Sequence, residues 1–307
     1  MDLAIITARQ VLILFLMILA GFVCGRTGAI KPEGKKTLSE LLLYLVLPAM
    51  ILDSYLIQFD AATFENLLLA FGLSAALMLG GGVVAVLATL KSKSSDRTMV
   101  RFACIFSNAG YMGIPLIRAL YGETGVLFAS AFLTVFNILV WTIGYVMISG
   151  QMEPKAVLRS IVTCPSIIAV AAGLIIYLGR VPVPGVLVET VGLVGDMNTP
   201  ISMIITGLTM ADRDLRALLK NRDLPLVMGL RLVVIPVVCL AVLRLLGVRG
   251  IVADIVLLLE ACPTAAITTV FAVRFSKSED LAAGSVVFTT LASMIWLPVY
   301  ALLVSAV

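Results

Sequence analysis

Apolar runs of about 20 residues recur along the whole chain, and no other feature restricts the fold so severely. A run of that length crosses the ~30 Å hydrocarbon core of a bilayer as a helix. In that solvent every backbone N–H and C=O must find its partner inside the protein, which leaves helices or a closed barrel. The residues are 61% hydrophobic and 13% charged, whereas roughly a quarter of a soluble domain is charged. The chain therefore reads as an all-α polytopic membrane protein with no soluble domain.

Ten apolar spans can be placed, at 8–26, 38–57, 64–90, 100–120, 126–149, 162–179, 186–210, 224–246, 251–275 and 281–305. Basic residues fall unequally on the two sides. Arg9, Arg118, Arg180, Arg244 and Arg249 share the N-terminal side. Arg26, Lys31, Lys35, Lys36, Lys91, Lys93, Arg97, Arg101, Lys155, Arg159, Arg213, Arg216, Lys220, Arg222, Arg274 and Lys277 share the other. That excess puts the second side in the cytoplasm and both termini outside it, as in a multi-pass protein of the plasma (inner) membrane. The net charge of +4 reflects this loop bias and not a nucleic-acid footprint. Five scattered cysteines and the absence of histidine argue against a disulfide framework or a metal site.

Sliding the chain on itself by 152 residues superposes the two halves. Ala20-Gly21 falls on Ala172-Gly173, Pro32 on Pro184, Pro48 on Pro200, and Val135-Phe136 on Val287-Phe288. Each half, 1–152 and 153–307, holds five spans. An odd number inserts the halves with opposite orientation, so they read as an inverted-topology repeat, an architecture of secondary transporters.

The fourth span contains a stretch that a lipid-facing helix would not use: Phe106-Ser107-Asn108-Ala109-Gly110-Tyr111-Met112-Gly113-Ile114-Pro115. Its asparagine, two glycines and proline weaken the backbone ladder. Broken backbone at membrane depth persists only when buried in protein or lining a water-filled cavity. Span nine carries the matching break, Glu260-Ala261-Cys262-Pro263-Thr264-Ala265, and the shift places Asn108 on Glu260. Spans four and nine, broken and crossing, would point two half-helix N-termini at one spot, with Pro115 and Pro263 at the first positions of the new half-helices. Such a pair is an anion site. The substrate-binding set is then Asn108, the backbone from Gly110 through Tyr111, Met112, Gly113 and Ile114 to Pro115, and the backbone from Cys262 through Pro263 and Thr264 to Ala265.

Several neighbours carry two readings each. Glu260, an intramembrane acid, either couples transport to H+ or Na+ or tethers the crossing structurally. Asn137 faces the site or makes an interhelical hydrogen bond. Leu47 and Thr199, beside Pro48 and Pro200, line the substrate pocket or only flank helix kinks. Arg231 snorkels to the cytoplasmic surface or closes a gate there. The run Gly80-Gly81-Gly82 indicates close helix packing.

The stretch from Phe106 to Pro115 resembles the signature of the auxin efflux carrier family. Asn198-Thr199-Pro200-Ile201-Ser202-Met203-Ile204-Ile205-Thr206-Gly207 and Glu260-Ala261-Cys262-Pro263-Thr264-Ala265 resemble two further landmarks of that family. The family contains the plant PIN-FORMED exporters and bacterial carriers of malonate, malate and related acids. The resemblance implies the fold of bile-acid/sodium symporters and sodium/proton antiporters. Spans 1, 2, 6 and 7 would form a scaffold and dimer interface, spans 3–5 and 8–10 a transport domain, and the motion would be an elevator. The chain lacks the long central cytoplasmic loop of the larger plant carriers.

The expectation is a secondary carrier of a small mono- or dicarboxylate, driven by ion gradients or membrane potential. It would have no cofactor and no catalytic residues, and would work as a homodimer in the lipid bilayer. No GxxxxGK[ST] phosphate loop occurs, and no base accompanies a serine. The alternative class is an anion channel or a carboxylate-sensing membrane receptor. A channel needs a continuous polar lining, and the spans offer isolated polar positions.

Overall fold

The computed structural model describes residues 3–92, 94, 96–150, 154–212 and 214–305. Lys93 and Arg213, counted above among the cytoplasmic-side charges, and the repeat boundary at 152–153 lie outside the described residues.

Every named element is a helix, and the one β-bridge among the described residues joins Ser107 to Thr264. In chain order the helices are α1 (Leu3–Arg26), α2 (Pro32–Leu41, a π-turn at Leu42–Val46, then Leu47–Tyr55), α3 (Ala61–Ala88) and α4 (Arg97–Ile105). Helix α5 runs over Ala109–Ser149. There follow α6 (Pro154–Val162), α7 (Pro165–Gly179), α8 (Gly185–Asp196), α9 (Asn198–Ala211), α10 (Leu215–Leu218) and α11 (Leu224–Leu245). The last are α12 (Ile251–Glu260), α13 (Ile267–Arg274) and α14 (Glu279–Ser305). Among the described residues, 6 helices are long and apolar enough to cross a membrane: α1, α2, α3, α5, α11 and α14. The other segments read as spans from the sequence are interrupted or short. The seventh divides into α8 and α9, the ninth into α12 and α13, and the fourth splits between α4 and the start of α5. Gly122, at φ 64°, bends α5 into a short first arm and a long second one, a left-handed geometry that glycine adopts without strain.

Three helices share one local device. A π-turn precedes Pro48 in α2, Pro115 in α5 (Ala109–Gly113) and Pro236 in α11 (Leu230–Val234). Proline lacks the N–H of the helical ladder, and its ring crowds the carbonyl four residues back. One extra residue per turn relieves the crowding. Two of the carbonyls left without a proline donor, those before Pro115 and Pro236, are served from other helices. Ser202 Oγ donates to Tyr111 O at 3.1 Å, and Tyr300 OH donates to Leu232 O at 2.7 Å. A local sequence choice thus sets a tertiary contact.

Helix α1 lies against α9 with backbone contact at Gly21 and Gly207, and α2 packs on α7 and α8. The long arm of α5 and α12 pack with α3. Tyr55 OH of α2 meets Ser130 Oγ of α5 at 2.8 Å. In the loop before α3, Asp60 caps the helix by accepting from Thr63 N and Thr63 Oγ1 at 2.7 and 2.8 Å, and these bonds hold its carboxyl below the ordinary range. Large apolar side chains such as Leu68, Leu79, Val83, Ile175 and Ile295 remain exposed on the outer helix faces, as a surface solvated by lipid requires.

Candidate functional site

The two breaks meet. Helix α4 ends at Ile105, and Phe106 is extended (φ −96°, ψ 114°). Residues 106–108 then run antiparallel to 263–265. Asn108 N donates to Pro263 O at 2.7 Å, and Ala265 N donates to Phe106 O at 2.8 Å. The pairing sets Ser107 opposite Thr264, whereas the 152-residue shift puts Ser107 on Leu259. The spatial partners are therefore displaced from the sequence register by more than one helical turn.

The carbonyl ends of α4 and α12 lie on one side of this crossing, and Arg231 of α11 closes them. Its side chain is 0% exposed. Nη1 donates to Cys104 O at 2.8 Å and to Ile105 O at 3.2 Å, and Nε donates to Cys262 O at 3.0 Å. The same Nη1 lies 3.3 Å from Glu260 Oε1. Arg231 thus neither snorkels to the surface nor gates it. A helix C-terminus carries about half a negative charge and unpaired carbonyls. Two such ends beside a buried carboxylate make a site that a guanidinium, with five fixed donors, can neutralise. Glu260 is 1% exposed, and its Oε2 has no hydrogen-bond partner among the described residues. Gly81 leaves room for it, because a Cβ there would lie 3.1 Å from Glu260 Oε1 and 2.9 Å from Ile235 Cγ2. The run Gly80-Gly81-Gly82 therefore seats the buried acid as well as packing a helix.

The amide ends lie beyond the bridge. The π-turn Ala109–Gly113 opens α5, and Asn108 O accepts from both Met112 N (3.0 Å) and Gly113 N (3.2 Å). The N–H groups of Ala109, Gly110 and Tyr111 find no acceptor among the described residues, and neither does the Asn108 side chain, which is 5% exposed. In the second break Thr264 N donates to Thr289 Oγ1 at 2.9 Å, Ala265 N goes to Phe106 O, and Cys262 N reaches Leu259 O at 3.3 Å. The unpaired amides there belong to Ala266 and Ile267. Neither proline opens its half-helix. Pro115 follows the π-turn, and Pro263 lies in the extended stretch before α13. The reason is the bridge, which pairs residues 106–108 with 263–265 outside the helical ladder and leaves the helices to begin on either side.

The remaining candidates divide by position. Met112, Gly113, Ile114 and Pro115 are buried, and a Cβ on Gly113 would lie 2.6 Å from Leu259 Cδ2 and 3.2 Å from Cys262 Sγ. Gly113 thus lets α5 close on α12. Cys262 and Thr264 are fully buried, and Thr264 Oγ1 donates to Ala103 O at 3.0 Å, which ties the second break to α4. Tyr111 is partly buried against Leu42, Val46 and Ile205. Asn137 donates to Leu133 O of its own helix at 2.8 Å, one turn from where Leu133 approaches Gly110. Leu47 is in the core, and Thr199 is partly buried at the start of α9. Beside Thr199, Asn198 is fully buried with neither amide atom paired. Ser202, one turn further, holds Tyr111 O. Asn198 and Ser202 were visible in the second landmark, but only the fold buries the first and turns the second toward the π-turn.

This arrangement has opposite poles. On one side of the crossing the carbonyls of Cys104, Ile105 and Cys262 are taken up by Arg231, whose charge Glu260 balances. The other presents unpaired N–H groups from two helix N-termini and a free carboxamide, which together suit an anion.

A family described as membrane transport protein matches residues 6–301. An uncharacterized transporter of Methanothermobacter thermautotrophicus is 26% identical over 301 residues, covering 96% of this chain and 97% of the relative. The uncharacterized transporter MJ1031 of Methanocaldococcus jannaschii is 22% identical over 298 residues, covering 93% and 94% respectively.

Proposed function

The chain belongs to the membrane transport protein family that includes the auxin efflux carriers, and from that premise we propose that it is a secondary carrier of a small organic anion, a mono- or dicarboxylate. The observation that carries the reading is the set of unpaired amides at Ala109, Gly110, Tyr111, Ala266 and Ile267 beside the free Asn108 side chain. A carboxylate accepts hydrogen bonds only. A site offering five N–H groups and one carboxamide, with Arg231 turned to the opposite pole, suits such an acceptor without a formal positive charge.

In this reading the ten apolar segments form two inverted five-span repeats. The bridge between residues 106–108 and 263–265 binds spans four and nine into one unit that moves together. Spans 3–5 and 8–10 slide past spans 1, 2, 6 and 7 as an elevator, exposing the anion to each side in turn, and the scaffold spans form the dimer contact. Glu260 acts as the counter-ion of Arg231, so the moving unit carries a neutral pair through the membrane. The substrate's own charge then couples transport to the membrane potential.

The test is counterflow of labelled malonate, malate, acetate and indole-3-acetate in proteoliposomes, with sodium, pH and voltage gradients varied separately. Saturable, stereoselective exchange is expected, with Glu260→Gln keeping the parent's dependence on sodium and pH gradients, at reduced stability and with a voltage dependence shifted by the uncompensated charge of Arg231. Currents at channel-like rates would remove the carrier reading. Loss of sodium or pH dependence in Glu260→Gln would make that acid the coupling group.

A further inference from the structure

Arg118 lies on the short first arm of α5, one turn beyond Pro115, on the half-helix that begins next to Asn108. Its guanidinium meets three carboxylates. Nη1 is 2.8 Å from Asp196 Oδ1, Nε is 2.8 Å from Glu123 Oε1, and Nη2 is 3.9 Å from Asp53 Oδ2. Glu123 belongs to α5 itself. Asp53 and Asp196 come from α2 and α8, two helices that stay with the scaffold in the carrier reading. One cation therefore makes ion pairs across the seam at which the two bodies would slide.

The setting makes these pairs stronger than open surface contacts. The side chains of Arg118 and Asp53 are only 17% and 16% exposed, and charges so placed interact through a lower effective dielectric than in bulk water. Three acids surround one base, so departure of Arg118 leaves Asp53 and Asp196 facing each other without a cation. The nearby link from Ser202 Oγ to Tyr111 O also joins the scaffold to this half-helix, but it is a single neutral hydrogen bond.

We propose that Arg118 is an ionic latch that holds the anion-binding half-helix against α2 and α8 in the conformation described here, and that its pairs with Asp53 and Asp196 break in each transport cycle. The latch rests on the sliding form of the carrier reading. It assigns Arg118 a positioning role: the residue sets the balance between end states and does not touch the anion.

The test uses the full-length protein in nanodiscs with its five cysteines in place. Spin labels go on genetically encoded keto residues at Glu65 of α3 and Val186 of α8, both exposed, and pulsed dipolar spectroscopy reads their separation. The parent protein should give one predominant distance. Arg118→Gln should bring up a second, with the population ratio moving on the order of fivefold or more, and Asp196→Asn should move it the same way by less. Arg118→Lys, and the exchange of Arg118→Asp with Asp196→Arg, should restore the single distance. Should Arg118→Gln fail to fold, Asp196→Asn decides alone, since Asp196 is 68% exposed. A folded neutral variant with the parent's distance overturns the latch. So does a second distance in Arg118→Lys equal to that in Arg118→Gln, because shape and not charge would then hold the seam. Saturable counterflow by the parent together with either result removes the latch and leaves the carrier. Channel-like currents remove the carrier itself.

Discussion

The two poles of the crossing are built from the same backbone chemistry and finished in opposite ways. At the carbonyl pole Cys104 O, Ile105 O and Cys262 O all receive donors from Arg231, and Glu260 balances the charge. At the amide pole Ala109, Gly110, Tyr111, Ala266 and Ile267 keep their N–H groups unpaired, and Asn108 offers a carboxamide that nothing else in the described chain engages. Breaking two membrane helices creates both sets of orphan groups at once. Satisfying one set permanently fixes the crossing, and leaving the other open makes it a receptor. Mutations at the first pole should therefore read out as stability and those at the second as binding.

The largest effect belongs to Arg231. Arg231→Leu strands a buried carboxylate and three carbonyls, and loss of about 3–5 kcal/mol or outright failure to fold is expected. Pairing it with Glu260→Leu should recover part of that loss, because removing both charges is less costly than removing one. Thermal melting of the detergent-solubilised single and double variants measures this. A double variant no more stable than Arg231→Leu would mean that the carbonyls, and not the acid, dominate the pole.

Gly113→Ala acts between the poles. Its Cβ would press on Leu259 Cδ2 and Cys262 Sγ, so a loss of about 1–3 kcal/mol is expected, together with weakened substrate binding as α5 is pushed from α12. If melting falls and the affinity of a transported acid does not, the site tolerates separation of the two half-helices. Ser202→Ala is the mildest of the three. It removes the donor that replaces the missing proline N–H at Tyr111 O, at about 1 kcal/mol. A fully stable Ser202→Ala would show that another group serves that carbonyl.

Much of this organisation was legible in the residues. Asn, Gly, Gly and Pro between Asn108 and Pro115 announced a break that lipid would not tolerate, and Cys262-Pro263 announced its counterpart. The structure brings these breaks into one bridge. The site of Arg231 was not legible, because the residue sits in a different helix from both breaks and its partners are backbone carbonyls, which every sequence supplies. The available signal was that Arg231 and Glu260 are charges deep in neighbouring apolar segments, and charges so placed must pair. The start of each half-helix was not legible either. A proline suggests a first turn, but Ser202 stabilises the π-turn before Pro115, and the bridge keeps Pro263 in extended chain. Those decisions are tertiary and leave no local mark.

The most direct measurement of the central claim, that the open amide pole binds the anion, compares Asn108→Ala with the parent protein. Equilibrium binding of labelled malonate, malate, acetate and indole-3-acetate is measured beside thermal melting on the same preparations. The account predicts a loss of at least about tenfold in affinity for every acid that the parent binds, as expected for a hydrogen bond to a charged group, with an unchanged melting temperature. Parent-like affinity in a folded Asn108→Ala protein would contradict it.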